Sequence, residues 1–233
     1  MVQKSRIESF PPAILPASAA LGYAGILTLG HLVPNIAHIT RVLLPNLWLI
    51  ATAVLWYRRF DADISVFRGG KRPWLSITVA AFGMGLNVVM MLLWPHRPTH
   101  AVAPYDIAIV LFIPTAEELF FRGMLLDYLT ARTRRRTVAI ALTALTFGAA
   151  HVPQGEVIAA TMTLLGVGLA GLAAATGSLI GPLVLHLSWN SLSTLRELGA
   201  GADRIVIVVI SIAAVLGLTV FGMMTRENKA QGA

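Results

Sequence analysis

Three short segments hold the side chains that could do chemistry: Thr115-Ala-Glu-Glu-Leu-Phe-Phe-Arg-Gly123, Phe147-Gly-Ala-Ala-His151 and His186-Leu-Ser-Trp-Asn190. Each interrupts an otherwise apolar run, and a charge at mid-bilayer costs about 2.5–3.5 kcal/mol on insertion scales, so each demands a reason. On a helix Glu118 and Arg122 stand at i and i+4 and share a face, so they can pair. Glu117 is rotated about 100° away from Glu118 and has no partner on its own helix, which suits it to act as a general base. His186 and Asn190, again i and i+4, present an imidazole and a carboxamide on one face, a two-donor arrangement fit to hold an oxyanion. His151 adds a second imidazole. Phe147 lies on the face of His151 and either walls a site or simply packs. A purely structural reading would have the charged trio lock helices together and the histidines bond across them. The combination on three segments favours chemistry over that reading.

The elements that must position these residues are membrane helices. The chain is 56% hydrophobic and 12% charged with a mean hydropathy of +0.74, whereas soluble domains are about a quarter charged. With about 20 apolar residues needed per span, the runs predict eight, near 13–33, 39–57, 74–94, 105–130, 137–152, 156–176, 178–195 and 204–224. They are punctuated at Pro34-Asn35, Gly69-Gly70, Pro95 with Pro98, Pro153 with Gly155, Gly177, and Gly199 through Gly201. Trp56, Trp74 and Trp94 lie at run ends, where interfacial anchors belong. If the fourth span starts at Tyr105, Glu117 sits about 18 Å along it, near the middle of a hydrocarbon core about 30 Å thick. The expected fold is an all-α, polytopic transmembrane bundle forming a single domain over 1–233, with the motifs in a core of about 105–195.

Alternate connections hold the lysines and arginines, as the positive-inside rule requires. Thirteen of the 18 basic residues fall on one side, including Arg58, Arg59, Arg68, Lys71 and Arg72 in the second connection and Arg132, Arg134, Arg135 and Arg136 in the fourth. Both termini are therefore expected in the cytoplasm. The net charge of +7 reads as topology and not as a nucleic-acid surface, and no nucleotide motif is present. Lys4 and Arg6 precede an apolar stretch containing Pro11, Pro12 and Pro16, which reads as an uncleaved first span. Residues 58–72 read as a short interfacial helix. Gly166, Gly168 and Gly171, like Gly83 and Gly85, read as sites of close helix packing. Cysteine is absent, which excludes disulfides and thiolate catalysis.

Taken together the three segments resemble the CPBP family of intramembrane proteases, which includes the CAAX prenyl endopeptidases and the bacterial Abi proteins linked to bacteriocin processing and self-immunity. EExxxR falls on Glu117, Glu118 and Arg122, FxxxH on Phe147 and His151, and HxxxN on His186 and Asn190. The resemblance implies an intramembrane endopeptidase in which Glu117 and His151 activate water, His186 and Asn190 polarise the scissile carbonyl, and Glu118 and Arg122 support them. Two mechanisms fit these residues. Glu117, His151 and His186 would supply the His₂Glu set of a catalytic zinc site, or Glu117 acts as a base without metal, the version preferred here. The implied partners are membrane lipid and a membrane-associated peptide or protein substrate. Such a chain is a multi-pass integral membrane protein, of the cytoplasmic membrane if bacterial. An ion-coupled transporter or a noncatalytic membrane immunity or scaffold protein is the alternative, since intramembrane Glu and His also mark ion pathways.

Overall fold

The computed structural model describes residues 22–23, 38–60, 73–93 and 104–195. Among the described residues every regular element is helical. The helices are α1 (His38–Phe60), α2 (Pro73–Leu93), α3 (Pro104–Glu117), a π-helical stretch (Glu118–Leu125), α4 (Leu126–Thr133), α5 (Arg136–Ala149), α6 (Glu156–Thr176) and α7 (Ile180–Leu195). These coincide with six of the eight predicted apolar runs. The run near 204–224, almost all of that near 13–33, and most of the interfacial segment 58–72 lie outside the described residues. One described helix, α6, is long and apolar enough to cross a membrane by length and composition. α5 and the Trp74–Gly85 part of α2 are shorter apolar helices. The path from Pro104 to Thr133 is helical throughout but holds Glu117, Glu118 and Arg122 at its middle.

A tight turn joins α4 to α5. Arg134 is left-handed at φ 55°, its amide bonds to the Thr130 carbonyl, and Thr133 Oγ1 accepts the Arg135 N–H at 3.2 Å. Orphan groups at both helix ends are thereby satisfied within three residues. At the far end of α5 the chain turns through Val152–Gln154 and Gly155, whose φ of 116° is a region that L side chains avoid.

α5 and α6 approach most closely. A Cβ on Gly148 would collide with Thr163 Oγ1 and lie 2.7 Å from the Ala159 carbonyl oxygen, and one on Gly166 would lie 3.0 Å from Ala144 Cα. Small residues here let backbones meet, as expected for packing without a hydrophobic driving force. Gly85 corrects the sequence expectation, because a Cβ there would meet nothing within 4 Å. Gly83 instead faces the flexible Leu185 side chain. Gly148→Ala is expected to destabilise the fold by about 1–3 kcal/mol, because backbone of α6 blocks the added methyl and cannot rotate aside. Thermal unfolding in detergent, compared with Gly85→Ala as a neutral control, measures it.

Three buried clusters fill the bundle. Leu49, Trp56, Ala116, Phe120, Phe121, Met124, Leu125 and Phe147 surround the middle of the charged segment. Val79, Ala80, Leu165, Leu169, Leu172 and Leu185 join α2, α6 and α7. Leu126, Ala139, Ile140, Ala170, Ala173 and Leu179 close the end near the α4–α5 turn.

Candidate active site

The charged segment enters the core where the α-helix loosens to π geometry. The Leu126 amide reaches back five residues to the Phe121 carbonyl, the i→i+5 pattern that recurs at functional sites. Glu117 closes α3 and Glu118 opens the π stretch, so the two carboxylates leave the backbone in different directions. Glu117, Glu118, Arg122 and His186 are all buried, at 4%, 1%, 2% and 2% exposure. Charges this far from water persist only when they meet one another.

They do meet. Arg122 Nη1 donates to Glu118 Oε1 at 2.9 Å, the i,i+4 pairing expected from the sequence. His186 Nδ1 donates to the same oxygen at 2.7 Å, across 68 residues of chain. Glu118 therefore holds two donors, only one of which lies on its own helix. His186 Nε2 faces Glu117 Oε2 at 3.5 Å. An ionised carboxylate only accepts, which puts the proton of the 2.7 Å bond on Nδ1 and leaves Nε2 as the nitrogen turned toward Glu117.

His151 lies in the turn just past α5, with Nδ1 donating to the Phe147 carbonyl at 2.8 Å, one turn back. It too is anchored through Nδ1 and presents Nε2. Phe147, fully buried, packs against both histidines, its ring 4.8 Å from the His151 ring and 5.7 Å from that of His186. The Arg122 guanidinium lies over the same ring at 4.2 Å, and Phe121 meets its edge at 5.1 Å. A desolvated cation on an aromatic face gains about 2 kcal/mol, so Phe147 partners the charge cluster as well as walling it. The sequence placed Phe147 beside His151 but gave no sign of its contact with Arg122.

The structure thus brings Glu117, Glu118, Arg122 and His186 into direct contact and sets His151 against Phe147, the ring that His186 and Arg122 also meet. Glu117 and His151 form no direct ion pair, so joint action on one water requires that water to bridge them. Asn190 is half-buried one turn beyond His186 on α7, and among the described residues no hydrogen bond anchors its carboxamide. Nor do three His, Asp or Glu side chains converge as a metal-ligand group among the described residues. The anchored Nδ1 atoms of both histidines match the habit of metal ligands, but Glu117 and His186 are the only two of the expected trio found within reach of each other.

A residue outside the motifs also sets the site. Ser76 Oγ on α2 accepts the Gly181 N–H at 2.9 Å, and a Cβ on Gly181 would lie 2.8 Å from the Ser76 carbonyl oxygen. This contact, with Ser178 Oγ accepting the Ile180 N–H at 3.1 Å, fixes the start of α7 and so the height at which His186 meets Glu118. The sequence offered only the absence of a side chain at Gly181 as a signal.

Residues 99–192 match the family model described as type II CAAX prenyl endopeptidase, Rce1-like. The match spans all seven motif residues, and the resemblance drawn from them is borne out. Among curated proteins and among solved structures, none matches the chain.

Proposed function

On the premise of that family of membrane-embedded proteases, we propose that this chain is an intramembrane endopeptidase that hydrolyses a peptide bond of a membrane-associated polypeptide. The observation that carries the reading is the clasp on His186, with Nδ1 on Glu118 and Nε2 toward Glu117. Glu117 takes a proton from water, and the hydroxide attacks the scissile carbonyl. His151 Nε2, the ring nitrogen left free by the Nδ1 bond to the Phe147 carbonyl, shares that water through a second hydrogen bond. His186 Nε2–H and the Asn190 carboxamide receive the developing oxyanion. Donation from Nε2 while Nδ1 donates to Glu118 requires a proton on both ring nitrogens. The proton held by Glu117 then passes to the leaving amine, so the reaction consumes one water and yields a carboxylate and an amine. Glu118 and Arg122 act through His186 and do not touch substrate.

The test compares peptides released in cells expressing the parent chain and the Glu117→Ala variant. Peptides that vanish in the variant, while its membrane insertion persists, are the expected result. Equal peptide profiles would refute the assignment. A chelator arm on the purified protein separates the two mechanisms. Activity that survives chelation supports Glu117 as base, whereas loss reversed by Zn²⁺ makes it a ligand.

A further inference from the structure

The motif residues all lie between Glu117 and Asn190, but the cluster around Glu117 also draws on a residue from the first apolar run. Gly22 and Tyr23 are the described residues of that run, both helical and half-buried. A Cβ on Gly22 would collide with the Trp48 indole, so a bare backbone lets this run close onto α1. Tyr23, the next residue, packs on the buried cluster that holds Leu49 together with Ala116, Phe120 and Phe121, which flank the two glutamates. The register of α1 puts this packing at the level of Glu117. α1 lies along both α3 and the π stretch. Its last turn meets the far part of that path, where the Tyr57 hydroxyl stands against Gly123 and the Trp56 ring lies 5.9 Å from that of Tyr128. From Tyr57 back to Leu49, and from Gly123 back to Glu117, the rise is about 12 Å and about 9 Å. Trp48 and Leu49, and with them Gly22 and Tyr23, therefore lie beside the junction of α3 and the π stretch, where Glu117 stands.

The Tyr23 phenol and the Glu117 carboxylate interact electrostatically, and among the described residues no hydrogen bond joins them directly. A polar contact longer than a hydrogen bond is the separation that a water spans. We propose that Tyr23 is a further catalytic residue, whose hydroxyl donates to the water that Glu117 deprotonates and fixes one lone pair of that water toward the scissile carbonyl. The hydrogen bonds of that water then close. One of its protons goes to Glu117 and the other to His151 Nε2. One lone pair accepts from Tyr23, and the remaining one attacks. A phenol, with an ordinary pKa of about 10, keeps its proton near neutral pH and so stays a donor throughout. No bond of Tyr23 is made or broken. Its part is orientation, which is worth most where a small misplacement of the attacking atom is costly. The first apolar run thereby supplies a side chain to the chemistry, although it carries none of the motif residues.

This role rests on the endopeptidase reading, and the experiment keeps the two apart. Tyr23→Phe leaves the ring on its cluster and removes only the hydroxyl. In the purified, reconstituted full chain it is expected to lower kcat about ten- to a hundredfold, with KM within about twofold and the unfolding temperature unchanged. In the Glu117→Gln background the same change is expected to cost less than about threefold, because both groups act on one water and their losses do not add. A kcat equal to that of the parent, or the full loss repeated on top of Glu117→Gln, reduces Tyr23 to packing and overturns the proposal, while the protease reading stands. A parent chain with no Glu117-dependent cleavage overturns the protease reading, and the catalytic role of Tyr23 falls with it. Placement is tested separately, and decides the matter should Tyr23→Phe fail to accumulate. The native chain has no cysteine, so Tyr23→Cys combined with Glu117→Cys can be joined by a short bifunctional thiol reagent, with Tyr23→Cys and Arg135→Cys as the control pair. Crosslinking of the first pair and not of the second is expected. No crosslink in the first pair, with the variant inserted in the membrane, overturns the placement of Tyr23 beside Glu117.

Discussion

Glu117→Gln is expected to lower kcat by about a hundred- to ten-thousand-fold with KM nearly unchanged, the range that general bases contribute. The amide keeps the volume of the carboxylate in a position only 4% exposed, so packing around Ala116, Phe120 and Phe121 is preserved. It also keeps a hydrogen-bonding oxygen 3.5 Å from His186 Nε2. What it loses is the ability to take a proton from water. Steady-state kinetics on a purified, reconstituted protein give the split between the two constants. A variant retaining more than about a tenth of the parent kcat would remove Glu117 from the role of base.

Glu118→Ala should act differently, by undoing the clasp. It strands the Arg122 guanidinium, buried with Nε and Nη2 already lacking hydrogen-bond partners, and takes the acceptor from His186 Nδ1. Breaking one side of a buried pair costs about 3–5 kcal/mol, because an uncompensated charge remains. Thermal unfolding in detergent should fall accordingly, and activity with it. The informative comparison is Glu118→Leu with Arg122→Met. Replacing both partners with apolar groups of similar size is often neutral for stability, so the double variant should regain most of the unfolding temperature. It should not regain activity, since nothing then orients His186. Recovery of both properties together would reduce Glu118 to a structural residue.

The two substitutions probe neighbours in sequence with separate duties, and the division was partly legible beforehand. Helical spacing alone put Glu118 with Arg122 and left Glu117 without a partner on its own helix, and in the structure the group facing Glu117 comes from another helix. Spacing could not reveal that His186 bonds Glu118 as well, because 68 residues separate them and no local rule links α7 to the π stretch. The loosening to π geometry at Glu118 was equally hidden, since no periodicity in the segment distinguishes it from an α-helix. Phe147 shows the same limit. Its place one turn before His151 is written in the chain, while the guanidinium above its ring arrives from another helix.

The helices themselves were determined by the sequence, because apolar runs between Pro, Gly and charged punctuation leave a backbone in lipid little choice but to bond to itself. So were the identities of the reactive side chains, for polar groups are costly in such runs and stand out against them. Only the tertiary structure decided which of those groups touch. Contact between α7 and the charged segment depends on where α7 begins, and that is fixed by the Ser76 hydroxyl on α2 and the bare backbone of Gly181. A hydrogen bond between distant helices is a property of packing, and no periodicity within either helix encodes it.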